Sequence, residues 1–201
     1  MPIYKFENLV PVVDPLAYVH PSADLIGDVI IGPHCYVGPG ASLRGDFGRI
    51  IMLAGSNIQD NCTTHSFPGQ DVVVEENGHI GHGAVLHGCV VRRNALVGMN
   101  AVVMDGVEVG EAAFVAAMSF VRAGFKVPAR SLVAGVPAKL IRELEEREMT
   151  WKYNGTLQYQ ELARRCLAGL TPCAPLTEVE PERHRVQQAA ATPLHQVKAG
   201  G

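Results

Sequence analysis

Three histidines stand where they could do chemistry: His65 in "NIQDNCTTHS", and His82 and His87 in "GHIGHGAVLHGC", residues 78–89. Three imidazoles can hold a zinc ion and leave a fourth position for water, which the metal acidifies into a nucleophile. A single imidazole can instead serve as a general base, and a histidine on an exposed face is often only a surface or hydrogen-bonding residue. Spacing bears on this choice. Five residues of extended chain reach about 16 Å, so His82 and His87, with a corner folded between them, project from different faces. One chain does not easily bring both to one ion. The metal reading therefore requires a cyclic trimer with shared sites at its interfaces.

The elements that position these residues follow a period of six. Aliphatic residues recur at Val19, Leu25, Ile31, Val37 and Leu43, and again at Val91, Val97, Val103, Val109, Val115, Val121 and Val127. A shorter series runs Met52, Ile58, Thr64, so irregular segments must fall within 44–51 and 65–84. Six is the repeat of a parallel β-helix with three short faces per coil. Its corners take glycine, asparagine and aspartate. Four residues beyond Ile31, Ile58 and Val85 come Cys35, Cys62 and Cys89, in the slot that elsewhere holds Ala23, Ala41, Ala95, Ala101 and Ala113. These thiols read as small core residues. The expected organisation is a β-helix over 1–136, a helical segment over 137–170 and a poorly ordered tail over 171–201. In the helical segment Pro137 opens a helix, Leu140, Ile141 and Leu144 share one face, and Asn154-Gly155 breaks it before a second helical stretch.

Composition narrows the partners. The chain has 201 residues, 47% of them hydrophobic, and a net charge of -3, so it can bury one core and carries no basic field for nucleic acid or anionic lipid. Neither a basic-then-apolar amino terminus nor an apolar run of eighteen residues occurs. Five cysteines without CxxC spacing fit a reducing compartment. A soluble cytoplasmic protein that binds small molecules and copies of itself is expected, without nucleic acid or membrane.

The hexads, "LRGDFGRI", "NIQDNCTTH", "GHIGHGAVLHGC", "RRNALVGMNAVVMDGV" and "VAGVPAKLIREL" together resemble the γ-class carbonic anhydrase-like family of hexapeptide proteins, over roughly residues 1–170. Within it the chain is most similar to the phenylacetic acid degradation members, with carnitine-operon members as close relatives. The resemblance implies a left-handed β-helix in a homotrimer. It implies Zn2+ on His65, His82 and His87, with His82 from the neighbouring subunit, and leaves His79 as a solvent or interface residue. It further implies that Gln59 hydrogen-bonds near the metal-bound water with Asn57 close by, and that Arg44, Asp46 and Asp60 form an interface ion-pair cluster.

The sequence departs from the strongly active carbonic anhydrases of that family. Phe47 follows Asp46 where they carry an acid, and the loop Phe67-Pro68-Gly69-Gln70 lacks their acidic residues. Proton release from metal-bound water needs a shuttle, and Glu75 or Glu76 are the remaining carboxylates. Apolar bulk at Phe47 and Phe67 suits an acyl group instead. The resemblance then implies a metal-dependent thioesterase acting on acyl-CoA thioesters of phenylacetate degradation. Its alternatives are carbon dioxide hydration, a hexapeptide acyltransferase using one histidine as base, and a non-catalytic partner of an acyl-CoA enzyme. Arg49, Arg92, Arg93 and Lys126 are cations available to coenzyme A phosphates, and no spacing selects among them.

Overall fold

The computed structural model describes residues 2–187 and 192–199. Its body is a left-handed parallel β-helix of about seven coils. The first face is built from 24–27, 42–45, Thr63–His65, Val85–His87, Val102–Val103 and Phe120–Val121. The second runs through 29–31, 50–52, Val72–Val74, Val90–Val91, Glu108–Val109 and Lys126–Val127. Strands Asp24–Ile31 and Ser42–Met52 pass through the corner between these faces, joining them into one sheet. The third face stacks Tyr18–Val19, Tyr36–Val37, Asn57–Ile58, His79–Ile80, Leu96–Val97, Phe114–Val115 and Ser131–Gly135.

Parallel register turns the hexad into columns. Leu25, Leu43, Thr64, Leu86, Val103 and Val121 pair in succession along the first face, and all six are fully buried. Each aliphatic member contributes about 1.5–3 kcal/mol by burial. Thr64 interrupts the column with a hydroxyl that has no hydrogen-bond partner among the described residues. Cys35, Cys62 and Cys89 are buried in the same core, and burial pushes the Cys62 thiol up to about 11 and that of Cys89 to about 12. Corners at Asn61, Asn77, Asn94 and Asn100 hold positive φ, a conformation asparagine tolerates better than most residues.

Two insertions break the period, and both leave the end of the first face. Gly27 pairs with Gly45 and Val29 with Ile50, so residues 46–49 bulge outward. One coil on, residues 66–71 form the second excursion between Thr63–His65 and Val72–Val74. The hexad has resumed by Val74, Ile80 and Leu86, all buried, so the irregularity is narrower than 65–84.

The carboxy-terminal expectation needs two corrections. Pro137 does not open a helix. It lies in the turn of an antiparallel hairpin, Ser131–Gly135 with Ala138–Glu143, that ends the last coil, and Leu140 and Ile141 are exposed on it. The helix α1 spans Glu146–Gly169 after an N-cap at Glu145, whose side chain and that of Glu148 form a capping box. Nor does Asn154-Gly155 end it. Glu148, Lys152, Thr156 and Ala163 are buried along one side of α1, and this tertiary contact overrides a glycine penalty of about 1 kcal/mol. The helix lies along the third face, where Tyr159, Leu162, Ala163 and Cys166 pack on Tyr18 and Tyr36. Beyond it, 170–187 contain no helix or strand, and α2 (Leu194–Ala199) meets α1 where Trp151 Nε1 donates to Thr192 O at 2.9 Å. Within the expected tail, 188–191 and 200–201 lie outside the described residues. Among the described residues no helix is long and apolar enough to cross a membrane.

Candidate functional site

The corner where the first face ends collects a row of alternating function. His65 and His87 occupy paired positions on neighbouring strands, so their imidazoles project side by side, with His65 Nδ1 3.3 Å from His87 Nε2. Carboxylates close the row at both ends. His65 Nε2 is 3.0 Å from Asp46 Oδ1, and His87 Nδ1 is 2.7 Å from Asp105 Oδ1. Asp46 arrives on the first insertion. Asp105 lies at the same corner as His87, one coil later.

These contacts set the tautomers. A carboxylate accepts, so Asp105 holds a proton on His87 Nδ1 and Asp46 holds one on His65 Nε2. Arg44 Nη2 also lies 2.9 Å from His65 Nε2. It could donate there only in the other tautomer, which would face Asp46 with a bare lone pair. Arg44 Nε is 3.4 Å from Asp46 Oδ2, an ion pair without a hydrogen bond. The outcome is two nitrogen lone pairs, on His65 Nδ1 and His87 Nε2, facing each other across 3.3 Å. Such a pair is built to accept one proton. The side chains keep 17% and 22% exposure, enough for a ligand to reach them.

Two aromatic side chains flank the pair. Phe47 stands 5.2 Å from the His65 ring and Phe67 5.1 Å from that of His87. Both are more than half exposed, an unusual position for phenylalanine on the rim of a polar site. The insertions that carry them are held together at Gly48, where a Cβ would come within 1.9 Å of Gln70 O and 2.3 Å of Ser66 Oγ.

The remaining expected residues are elsewhere. His82 sits at the corner between the third and first faces. Its Nδ1 donates to Asp60 Oδ2 at 2.8 Å, and its Nε2 lies 3.4 Å from the Tyr159 hydroxyl. Gln59 and Asn57 belong to the third face: Gln59 Nε2 donates to Asn57 Oδ1 at 3.1 Å and to His79 Nε2 at 2.7 Å. His79 is therefore not a solvent residue. It is half-buried under α1, with its Nδ1 3.3 Å from Thr156 Oγ1 and its ring against Tyr159. Burial first, then the Lys152 and His82 charges, drive its pKa down to about 3.

Thus the fold joins Arg44, Asp46, His65 and His87, and separates them from Asn57, Gln59, Asp60 and His82. Asp105 escaped sequence reasoning, although a coil period of eighteen counted from His87 reaches it. Glu75 does not face the histidine pair; it accepts from Arg92 Nη1 at 2.7 Å. A zinc ion would meet two converging imidazoles in one chain, and among the described residues no group of three or more His, Cys, Asp or Glu is placed to hold a metal ion.

No protein-family model matches the chain. A carnitine operon protein CaiE from Salmonella agona is 58% identical over 187 residues, covering 93% of this chain and 94% of its own length. The chain belongs to the CaiE family. A CaiE from Proteus is 54% identical over the same share of this chain. Among solved structures, an Anaplasma phagocytophilum protein described as a hexapeptide transferase family member is 35% identical with a TM-score of 0.79, covering 82% of this chain and 97% of its own. A Bacillus cereus protein described as an acetyltransferase is 32% identical with a TM-score of 0.82, covering 83% and 96%. These relatives bear the carnitine name and the transferase description. They overturn the expected metal-dependent thioesterase of phenylacetate degradation, and the carbonic anhydrase alternative with it.

Proposed function

We propose that this protein is an acyltransferase that moves an acyl group between coenzyme A and a small acceptor bearing a hydroxyl or amine. The observation that carries the reading is the row Asp46, His65, His87, Asp105, whose outer carboxylates leave two lone pairs facing inward at 3.3 Å. An acceptor O–H or N–H presented there loses its proton to the pair as its oxygen or nitrogen attacks the thioester carbonyl. The new bond to carbon forms, the C–S bond breaks, and the proton held by the pair passes to the departing thiolate. Phe47 and Phe67 supply apolar walls for the acyl chain.

The name of the relatives makes carnitine, with its secondary hydroxyl, the first acceptor to try. The cysteines are free thiols, which fits a reducing compartment, and we place the reaction in the cytoplasm. The homotrimer expected above accompanies this reading, with the Asp60–His82 corner of one copy available to the histidine row of the next.

The test measures thiol release from short-chain acyl-CoA with and without carnitine, and identifies the acylated acceptor by mass. Acceptor-dependent release that disappears in His87→Ala supports transfer. Release at equal rate without acceptor would sink it in favour of hydrolysis. No release with any acceptor would leave the non-catalytic partner role.

A further inference from the structure

The amino-terminal coil closes one end of the solenoid, and no strand covers it among the described residues. Ile3–Tyr4 pairs only with Leu25–Ile26 on the first face, Val12–Val13 only with Ile30–Ile31 on the second, and Tyr18–Val19 only with Tyr36–Val37 on the third. Each keeps an open edge directed along the solenoid axis. Ile3 stacks on Leu25 as the last member of the inward column, yet with no coil above it 40% of it is exposed.

The surface around these edges is apolar. Tyr4, Phe6, Leu9, Val10, Val12 and Leu16 join Ile3 in being two-fifths to three-fifths exposed. At about 200 Å² per side chain this is on the order of 700 Å², more than the roughly 300–600 Å² of the largest apolar patch on an ordinary monomer. The opposite end is guarded differently. Ala138–Glu143 covers Ser131–Gly135, and exposed Arg122 and Lys126 stand on or beside the open strands Phe120–Val121 and Lys126–Val127, charges of the kind that keep edges from pairing.

Charge and size select the occupant of the amino-terminal end. Asp14 is committed to its own turn, accepting from Leu16 N at 2.8 Å. That leaves Lys5 and Glu7 in this coil, both exposed and without an ion-pair partner among the described residues. A cation and an anion two residues apart are self-complementary: a copy turned about a two-fold axis sets its Glu7 against Lys5 and its Lys5 against Glu7. A second copy also presents the same apolar coil, with an area close to the ~800 Å² per partner of a standard interface. Pro2, Pro11 and Pro15 remove backbone donors from the coil, so side chains make the contact and it ends in a closed pair rather than a growing sheet.

We propose that two copies of this chain dock end to end through their amino-terminal coils, about a two-fold axis perpendicular to the solenoid. The three outer faces and the histidine row stay outside this contact, so it doubles the chain number of any side-by-side assembly.

The experiment measures the mass of the full-length protein by sedimentation equilibrium, together with far-ultraviolet circular dichroism. Wild type is expected to contain an even number of chains. Val10→Asp places like charges on both sides of the two-fold, which should raise the dissociation constant on the order of a hundredfold and halve the mass with an unchanged spectrum. Leu140→Asp, a change at a comparably exposed residue of the opposite end, should keep the wild-type mass. Lys5→Glu, a surface change that the fold tolerates, should also weaken the pair, and combining it with Glu7→Lys should restore it. Wild type of one or three chains would overturn the proposal, as would an even mass that survives both Val10→Asp and Lys5→Glu. Dissociation by Leu140→Asp alone would place the contact at the other end and overturn it too. A charge swap that fails to restore the mass would refute the two-fold arrangement.

Discussion

Lys152 offers the sharpest test of how α1 is held. Its side chain is 2% exposed beneath the helix, and Nζ donates to Asn77 O. Burial drives its pKa from 10.5 down to about 7. At about 1.36 kcal/mol per pKa unit the drop corresponds to on the order of 4–5 kcal/mol of lost stability at low pH. The sign follows from proton counting. Between pH 7 and 10.5 the unfolded chain holds a proton that the folded chain has released, so stability rises with pH across this window. From pH 7 to 8.5 the gain is about 2 kcal/mol. Lys152→Met removes the titration and keeps the apolar stem. Allowing about 1 kcal/mol for the lost hydrogen bond and more for the orphaned Asn77 carbonyl, the variant should be more stable than wild type by about 1–2 kcal/mol at pH 7. Its advantage should shrink by about 2 kcal/mol at pH 8.5. Urea unfolding of both proteins at the two pH values checks this, and comparing variant with wild type cancels the buried thiols, which titrate in both. Parallel pH dependences, or a variant less stable at pH 7, would refute the claim that α1 buries an amine at a cost.

Three further outcomes are expected. Asp105→Asn should lower acyl transfer on the order of 10²-fold in kcat with little change in KM for acyl-CoA, because it loosens the His87 tautomer without touching the carrier; a change confined to KM would contradict the assigned role. Gly48→Ala should displace the Phe67 insertion and lower transfer while leaving far-ultraviolet circular dichroism unchanged, since its Cβ would sit 1.9 Å from Gln70 O; unchanged kinetics would show that the two insertions move independently. Leu86→Ala should cost about 2–5 kcal/mol in urea unfolding, the price of a cavity in a fully buried column, and a loss below 1 kcal/mol would mean the coils collapse around it.

The repeating body was legible because a three-sided coil forces one inward side chain every six residues, so the hexad of Val, Ile and Leu is a direct image of the columns. The cysteine slot was legible for the same reason, since corners leave room only for small side chains beside the inward residue. Where the hexad lapsed, the boundaries blurred: residues 46–49 and 66–71 leave the core, and outward loops carry no period. Local rules failed most at the carboxy terminus. Pro137 and Asn154-Gly155 are helix signals in isolation, yet a hairpin captured the first and burial of Lys152 and Thr156 against the third face overrode the second.

The functional residues divide along the same line. Sequence marked His65, His82 and His87 as the side chains able to do chemistry, and it set the expectation that His82 and His87 would project from different faces. Which of them meet was decided by register alone. Two strands paired so that His65 and His87 stand side by side, a coil of eighteen residues brought Asp105 to the same corner, and an insertion carried Asp46 to the other end. His79 shows the limit from the other side. Nothing in its local sequence tells a surface histidine from one half-buried under a helix that begins 67 residues later, because burial is a property of what packs on a residue and not of its neighbours in the chain.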